Sequence, residues 1–451
     1  MKQAALSLAD RQELHTAASG LLKQHAAPGI ALAAWKGGDC EVAAAGTRDG
    51  REASLTEDSL FPLGCLIKPL LALVCLELHV NGRLDIDEPV GEFLPVLGQD
   101  RHSGSHISLR HLLSHTAGYV EPKEPNARWK LDWDGFADKF KQRRQPFSPG
   151  TVWSYTQTGH AIIARIIERV VGHPPIDLIR SMLLEPLGVD IAENGSKLQR
   201  ASGVVPHIWY EKSGRFEPAR LPQGTDLFAY SISDLSVNIR DLAVLARALG
   251  GKGLPSSISR PAFSLFASAA ASTAGSAGGT NREVAPSAFG LGLAHFGRAV
   301  GHNGSFVGTT CAVRYDEQAD VAVAVAFNGW NPILRDYAAR TLLKRISGNA
   351  DHLQLPICRP NSSMLNMVGH YRSLMLGLGD ADIVQDGLDI ALCMASPIGE
   401  PMRVSLSLND EHVLIARNAP PWMALTIDDR DSDKDAHLMV GPTAYCKVDG
   451  N

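Results

Sequence analysis

A chain of 451 residues, 45% hydrophobic and 20% charged, can bury a large core without disulfides or metal staples. Its formal net charge of -5 gives no sign of a nucleic-acid-binding surface. No run approaches the roughly 18 consecutive apolar residues that span a membrane.

Residues 1–27 carry Asp10, Arg11, Glu13 and Lys23 and read as an amphipathic helix without the apolar core of a signal peptide. Ile30–Trp35 and Cys40–Ala45, joined by Lys36-Gly37-Gly38-Asp39, read as a β-hairpin. The apolar run Ser59–Leu63 ends at Gly64, and Pro69–Val80 is an apolar helical stretch. Gly64 therefore marks a turn into a helix whose first turn accepts Pro69. Cys65 and Lys68 fall one turn apart on one face. A thiol at a helix N-terminus beside an ammonium favours its thiolate, and a desolvated lysine can accept a proton. Taken alone, Cys65 also fits a buried structural cysteine.

Residues 66–250 read as mostly helical, with stops at Gly82, Gly118, Gly172 and Gly188. His111 and His115 are spaced i, i+4 but lack the glutamate of H-E-x-x-H, so no metal is expected there. Lys141-Gln142-Arg143-Arg144 reads as a solvated helix end, and Asp241–Leu249 as an amphipathic helix. Residues 264–288, rich in Ala, Ser and Gly, read as a flexible loop. Strands are expected at Phe289–Phe296, Ala299–Gly301, Thr309–Tyr315 and Val321–Phe327, then a helix over Leu334–Ile346. Gly290-x-Gly292 falls in the first of these and is too short for a dinucleotide fingerprint. The seven tryptophans are core candidates, with Trp153 placed to border a cleft. After Pro356 the pattern changes to short strands at Leu388–Met394, Met402–Leu408, His412–Arg417, Met423–Ile427 and Ala436–Val440. An all-β module of about 90 residues fits, opened by Met367–Ser373. Asp429–Asp435 lacks EF-hand spacing and reads as an exposed turn.

Three further stretches carry chemistry. Tyr155-Thr156-Gln157 follows the turn Phe147–Gly150, and Gly301-His302-Asn303-Gly304-Ser305 stands between strand-like runs. Ile107–Gly118 contains Leu112-Leu113-Ser114-His115-Thr116-Ala117-Gly118. Taken in order, C-x-x-K, Y-x-Q and H-x-G resemble the S-x-x-K, Y-x-N and H-x-G or K-T-G motifs of the serine β-lactamase and penicillin-binding-protein superfamily. The Leu112–Gly118 segment resembles that family's "LLSHTSG", and Tyr155–Val189 its "YSNxGYxLLGxIIE…PLG" block. The resemblance covers about residues 15 to 348 and is nearest the class C β-lactamase, esterase and D-aminopeptidase branch. Two positions depart from it: Cys65 replaces the nucleophilic serine, and Gln157 replaces an asparagine.

The resemblance implies an α/β (α+β) fold over residues 1–350, an antiparallel sheet flanked by helices with a helical subdomain. Residues 351–451 resemble the small lipocalin-like barrel that follows the catalytic domain in some esterase relatives. It implies Cys65 as nucleophile, Lys68 as its proton acceptor and Tyr155 as proton shuttle. Gln157 would present a carboxamide to substrate, with His302 and Gly304 on the strand lining the cleft. The backbone N–H groups of Cys65 and Ser305 would form the oxyanion hole. Other readings stand beside these roles: surface exposure for Lys68, against which its apolar helix argues, a packed aromatic for Tyr155, a side chain pointing elsewhere for Gln157 and a satisfied strand histidine for His302. The family segment makes His111 and His115 structural.

The seven cysteines, 40, 65, 75, 311, 358, 393 and 446, are odd in number and show no C-x-x-C. That argues against a disulfide framework or zinc site and fits a reducing compartment, so the expected location is cytoplasmic. No cofactor, metal, nucleic acid or membrane partner is expected. An acyl-Cys65 thioester keeps more group-transfer potential than an oxoester and reacts readily with amines. The expected function is therefore acyl transfer from a small-molecule acyl substrate, which a carrier protein or coenzyme A would carry, to an amine or alcohol. A cysteine-dependent esterase, amidase or D-aminopeptidase is the alternative, and a binding homologue with a dead site is a third.

Overall fold

Val321-Ala-Val-Ala-Val-Ala-Phe327 alternates β-branched and small residues without Gly or Pro, and every one of its seven residues is buried in the widest sheet. The computed structural model describes residues 5–23, 27–98, 107–119, 133–143, 145–193, 196, 201–210, 215–219, 233–272, 286–306 and 308–348, and eight strands within 369–448. The chain divides into two compact units. One comprises Met1–Leu84, Ile167–Ser268 and Gly292–His352; the other comprises Asp85–Ile166, Ala269–Leu291 and Leu353–Asn451.

In the first unit the helix α1 (Leu8–Lys23) leads into the hairpin β1 (Gly29–Lys36) and β2 (Asp39–Gly46). The strand β3 (Phe61–Gly64) and helix α2 (Ile67–Val80) follow. Then come β4 (Ser233–Val237), α3 (Ile239–Leu249), β5 (Ala294–Phe296), β6 (Ala299–Phe306), β7 (Thr309–Asp316), β8 (Val321–Phe327) and α4 (Pro332–Ile346). The sheet runs β2-β1-β8-β7-β6-β5 with antiparallel neighbours. The N-terminal hairpin thus pairs with strands almost 300 residues later, Ile30 lying opposite Phe327. Uninterrupted burial along β7 and β8 means that both faces are covered. From α3, Ile239, Leu242, Ala243, Ala246 and Leu249 go into this core.

The first turn of α3 carries an unfavourable charge. The Asn238 side chain caps it by accepting the Asp241 N–H at 2.9 Å, and also donates to Asp241 Oδ2 at 3.0 Å. Burial, and then the Asp190 carboxylate, push the Asp241 carboxyl up to about 6. An acid whose folded pKa lies above its unfolded value weakens the fold once ionised, fully above pH 6 and not at all below about 3.8. Asp241→Asn is therefore expected to raise Tm at pH 8 and to lose that advantage by about pH 4, as read by calorimetry across that range.

Several expectations need correction in this unit. The span read as helical contains β4, paired with β3, and a hairpin of His207–Tyr210 with Arg215–Pro218. Their period-2 runs are only four or five residues long, too short to stand out between helices. Residues 264–267, read as loop, close the helix Arg260–Ala267, in which Phe266 is fully buried and the Ser259 hydroxyl caps Ala262. Residues 273–285 of that expected loop lie outside the described residues. Gly292 lies between strands rather than in one. Its φ of +108° and a would-be Cβ 2.3 Å from the Ala72 methyl show a backbone pressed against α2.

The second unit contains the helices Leu109–Leu113 and Trp133–Lys141, the start of Thr158–Val171, and the strand pair Ala271–Ser272 and Ala288–Phe289. In the basic run, Lys141 ends its helix and Gln142 is exposed, as a solvated end requires, but Arg143 is not solvated. Arg143 is buried, donates to the Phe140 carbonyl at 2.8 Å and lies 4.1 Å over the Phe140 ring. His111 accepts the Ser108 N–H in a capping box, while His115 lies past the helix end at φ +56°, so the two do not share a helical face. Eight antiparallel strands from Gly369–Ser373 to Thr443–Val448 close a barrel, each beside its sequence neighbour and the last beside the first. Two of them, Ala381–Asp386 and Thr443–Val448, were not anticipated. The boundary expected near 350 and the turn Asp429–Asp435 lie outside the described residues.

Among the described residues no helix is long and apolar enough to cross a membrane.

Candidate active site

Cys65 stands where β3 gives way to α2, and the geometry of that junction follows from Gly64. Gly64 has φ +54°, and a Cβ there would lie 2.5 Å from both the backbone N and O of Ser305. Only glycine lets the two backbones approach this closely. In an extended strand a residue's N–H and C=O face the same side. Ser305 therefore turns its N–H toward the segment that carries Cys65. A second glycine tightens the same junction: a Cβ on Gly304 would meet the Leu63 carbonyl at 2.2 Å and the Cys311 sulfur at 2.4 Å.

The turn Leu63–Lys68 is held by Leu66 N–H to Leu63 O and Lys68 N–H to Cys65 O, both at 3.1 Å. It delivers Cys65, 8% exposed, at the positive end of a 14-residue helix. Lys68 has no solvent exposure. The whole of α2 from Ile67 to Leu78 is buried, which follows from its apolar sequence and fixes both side chains against a rigid element.

His302 lies on β6, 3% exposed. Its Nδ1 donates to the Asn303 carbonyl at 2.7 Å, which puts the proton of the neutral ring on Nδ1. Burial first, and then the charge of Lys68, push its pKa down to about 3, so the ring is neutral at working pH. Cys311 lies opposite Gly304 in register and is 3.7 Å from the Leu63 carbonyl. Burial pushes the Cys311 and Cys75 thiols up to about 12, and both stay protonated. The first unit thus brings together Cys65, Lys68, His302, Gly304 and Ser305.

Tyr155 and Gln157 belong to the second unit, both buried in the segment before the helix Thr158–Val171. The Tyr155 ring packs 4.3 Å from that of His115. His115 Nδ1 accepts the Thr156 N–H at 3.2 Å, and its carbonyl accepts the Ser154 N–H at 2.8 Å. Trp153 is buried with its ring 5.8 Å from Phe289, in keeping with a core position. His115 thus brackets the Tyr155 segment on both sides from a left-handed conformation that few non-glycine residues adopt.

A family model described as Beta-lactamase matches residues 14–346, most of the chain. The chain belongs to this family. It is 33% identical over 172 residues to Penicillin-binding protein 4 of Amycolatopsis lactamdurans, 38% of this chain and 45% of that protein. It is 28% identical over 196 residues to Esterase EstB of Burkholderia gladioli, 39% of this chain and 48% of that one. The chain spans about half the length of these curated relatives. Among solved structures, SurE with D-Leu matches in fold with a TM-score of 0.70 at 22% identity, covering 98% of this chain and 100% of that one.

Membership in the β-lactamase family makes this chain one of a superfamily of acyl-transferring hydrolases. Sequence reasoning missed a buried ionic group beside the site, Arg314, Arg335 and Asp336. A signal was available: Arg314 places a charge inside the β-prone run Thr309–Tyr315, and the Arg335–Asp336 pair falls at the start of α4.

Proposed function

We propose that this β-lactamase-family chain transfers acyl groups through a thioester on Cys65, taking them from a thioester donor and passing them to an amine or alcohol. The observation that carries the reading is the junction at Gly64, where a thiol at a helix N-terminus, a buried lysine one turn on and the Ser305 N–H converge. In the first step the Cys65 sulfur, its proton taken by Lys68, attacks the donor carbonyl and forms the new C–S bond. The oxyanion forms against the N–H groups of Cys65 and Ser305. It collapses with loss of the donor thiolate, which receives a proton through Tyr155. In the second step the acceptor nitrogen or oxygen attacks the thioester carbonyl, the C–S65 bond breaks, and the acceptor's proton returns to sulfur.

In this reading Gln157 offers its carboxamide to the acyl portion. Neutral His302, its proton committed to the Asn303 carbonyl, adds no positive charge to the cleft. A reducing, cytoplasmic setting suits the chemistry, because it keeps a nucleophilic thiol reduced.

Hydrolysis is the competing reading, favoured by the likeness to an esterase. Incubation with an acyl thioester in the presence of graded amine separates the two. Transfer predicts an intact-mass adduct on Cys65 and amide product that rises at the expense of free acid. Free acid alone, at every amine concentration, makes the protein a hydrolase.

A further inference from the structure

Arg335 lies on the first turn of α4, 5% exposed, with Asp336 8% and Arg314 1% exposed beside it. One carboxylate holds both guanidinium groups. Asp336 Oδ1 accepts from Arg314 Nη2 at 3.1 Å and from Arg335 Nε at 3.1 Å, and Oδ2 accepts from Arg335 Nη2 at 2.7 Å. The remaining arms reach β6. Arg314 Nη1 lies 3.4 Å from the His302 carbonyl, while its guanidinium carbon sits 3.5 Å over the Phe296 ring. Arg335 Nη1 donates to Ser305 Oγ at 3.1 Å and lies 3.5 Å from the Gly304 carbonyl.

We propose that Arg335 is a positioning residue that aligns and polarises the Gly304–Ser305 peptide, a role that rests on the acyl-Cys65 reading. The Gly304 carbonyl and the Ser305 N–H are the two ends of one trans peptide and point in opposite directions. A cation at the carbonyl end draws electron density from the amide and makes its N–H a stronger donor. The opposite end of that peptide faces the Cys65 segment, where the oxyanion would form. The grip on Ser305 Oγ fixes the rotation of the strand about its axis. The bidentate link to Asp336 leaves Arg335 no freedom to retreat when charge develops.

A purely structural role explains the network less well. Two buried cations share one carboxylate, and burying unbalanced charge costs more than an apolar filler of the same shape would. Of the two cations, Arg335 is placed against the Gly304–Ser305 peptide, whose N–H turns toward the segment that carries Cys65.

The test compares two reactions of the same sulfur in full-length protein. Acylation of Cys65 by p-nitrophenyl acetate passes through an oxyanion; alkylation by iodoacetamide displaces iodide at an sp³ carbon and makes none. Arg335→Lys keeps the charge but loses the fork. We expect its acylation rate to fall at least about tenfold, while alkylation stays at the wild-type rate. Asp336→Asn, which leaves Arg335 present but releases part of its hold, should show a smaller loss in the same direction and serves if the first variant does not fold. In both, the Ser305 amide proton, observed in ¹⁵N-serine-labelled protein, should move upfield as its donor strength falls.

Acylation at the wild-type rate with an unmoved Ser305 resonance overturns the proposal. So does an equal loss in acylation and alkylation, which would place the effect on the thiol itself. If wild-type protein is alkylated but never acylated, the Cys65 acyl-enzyme reading fails. The Ser305 resonance then decides the positioning role, an upfield shift supporting it and an unmoved one refuting it.

Discussion

Cys65→Ala is expected to abolish covalent acylation and turnover while the protein stays folded. The residue is 8% exposed at the first turn before α2, and the change removes one sulfur without touching the backbone of Gly64 or the turn bonds of Leu66 and Lys68. A stability loss on the order of 1 kcal/mol is the scale for such a truncation. Intact mass spectrometry after exposure to an acyl thioester, with Tm measured in parallel, checks both halves. Near wild-type turnover by the alanine variant would remove Cys65 from the mechanism. Cys65→Ser separates chemistry from position. A hydroxyl at the same place still permits an acyl-enzyme, but the intermediate becomes an oxoester. The ratio of amide to free acid should fall relative to wild type at fixed amine concentration. An unchanged ratio would mean that sulfur contributes nothing to the choice of acceptor, and the case for transfer would rest on the acceptor site alone.

Lys68→Ala is expected to lower acylation by at least about two orders of magnitude, the scale of lost general-base assistance. Lys68 is fully buried, so no surface cation replaces it. Two readouts distinguish the loss of a base from collapse of the site. Iodoacetamide alkylation of Cys65 at neutral pH should slow, because deprotonation of the thiol loses its acceptor. His302 should titrate at higher pH than in wild type, because Lys68 is the second-largest cause, after burial, of its depressed value. A ¹H NMR titration of the His302 ring follows this directly. If alkylation and turnover both match wild type, Lys68 is not the activating group, and Tyr155 or His302 becomes the candidate base.

Local pattern alone announces the elements on which the site is built. The β-hairpin at Lys36–Asp39, the break at Gly64, the apolar helix after it and the strand Val321–Phe327 all appear where composition and spacing place them. Gly82, Gly172 and Gly188 each take the positive φ that ends a helix, whereas the helix expected to stop at Gly118 already ends at Leu113, with His115 in the left-handed conformation. Short elements whose pairing partner is remote were not legible in the same way. β4 is five residues long and owes its strand conformation to β3, some 170 residues earlier. Arg143 reads as a solvated basic residue because a sequence window cannot see that the ring of Tyr119, 5.9 Å from its guanidinium carbon, helps to bury it.

The sequence by itself determined which residue types stand at the site: a thiol and a lysine one turn apart behind a glycine, a Y-x-Q, and an H-x-G in a β-prone run. These are local, because each motif is set by a turn or a few residues of one element. Tertiary structure alone decided that the Ser305 N–H faces Gly64, that His302 is neutral with its proton on Nδ1, and that Arg335 reaches the Gly304 carbonyl. Each depends on burial or on contact between segments from about 30 to more than 230 residues apart, and hydrogen-bond direction and desolvation exist only once those segments have packed.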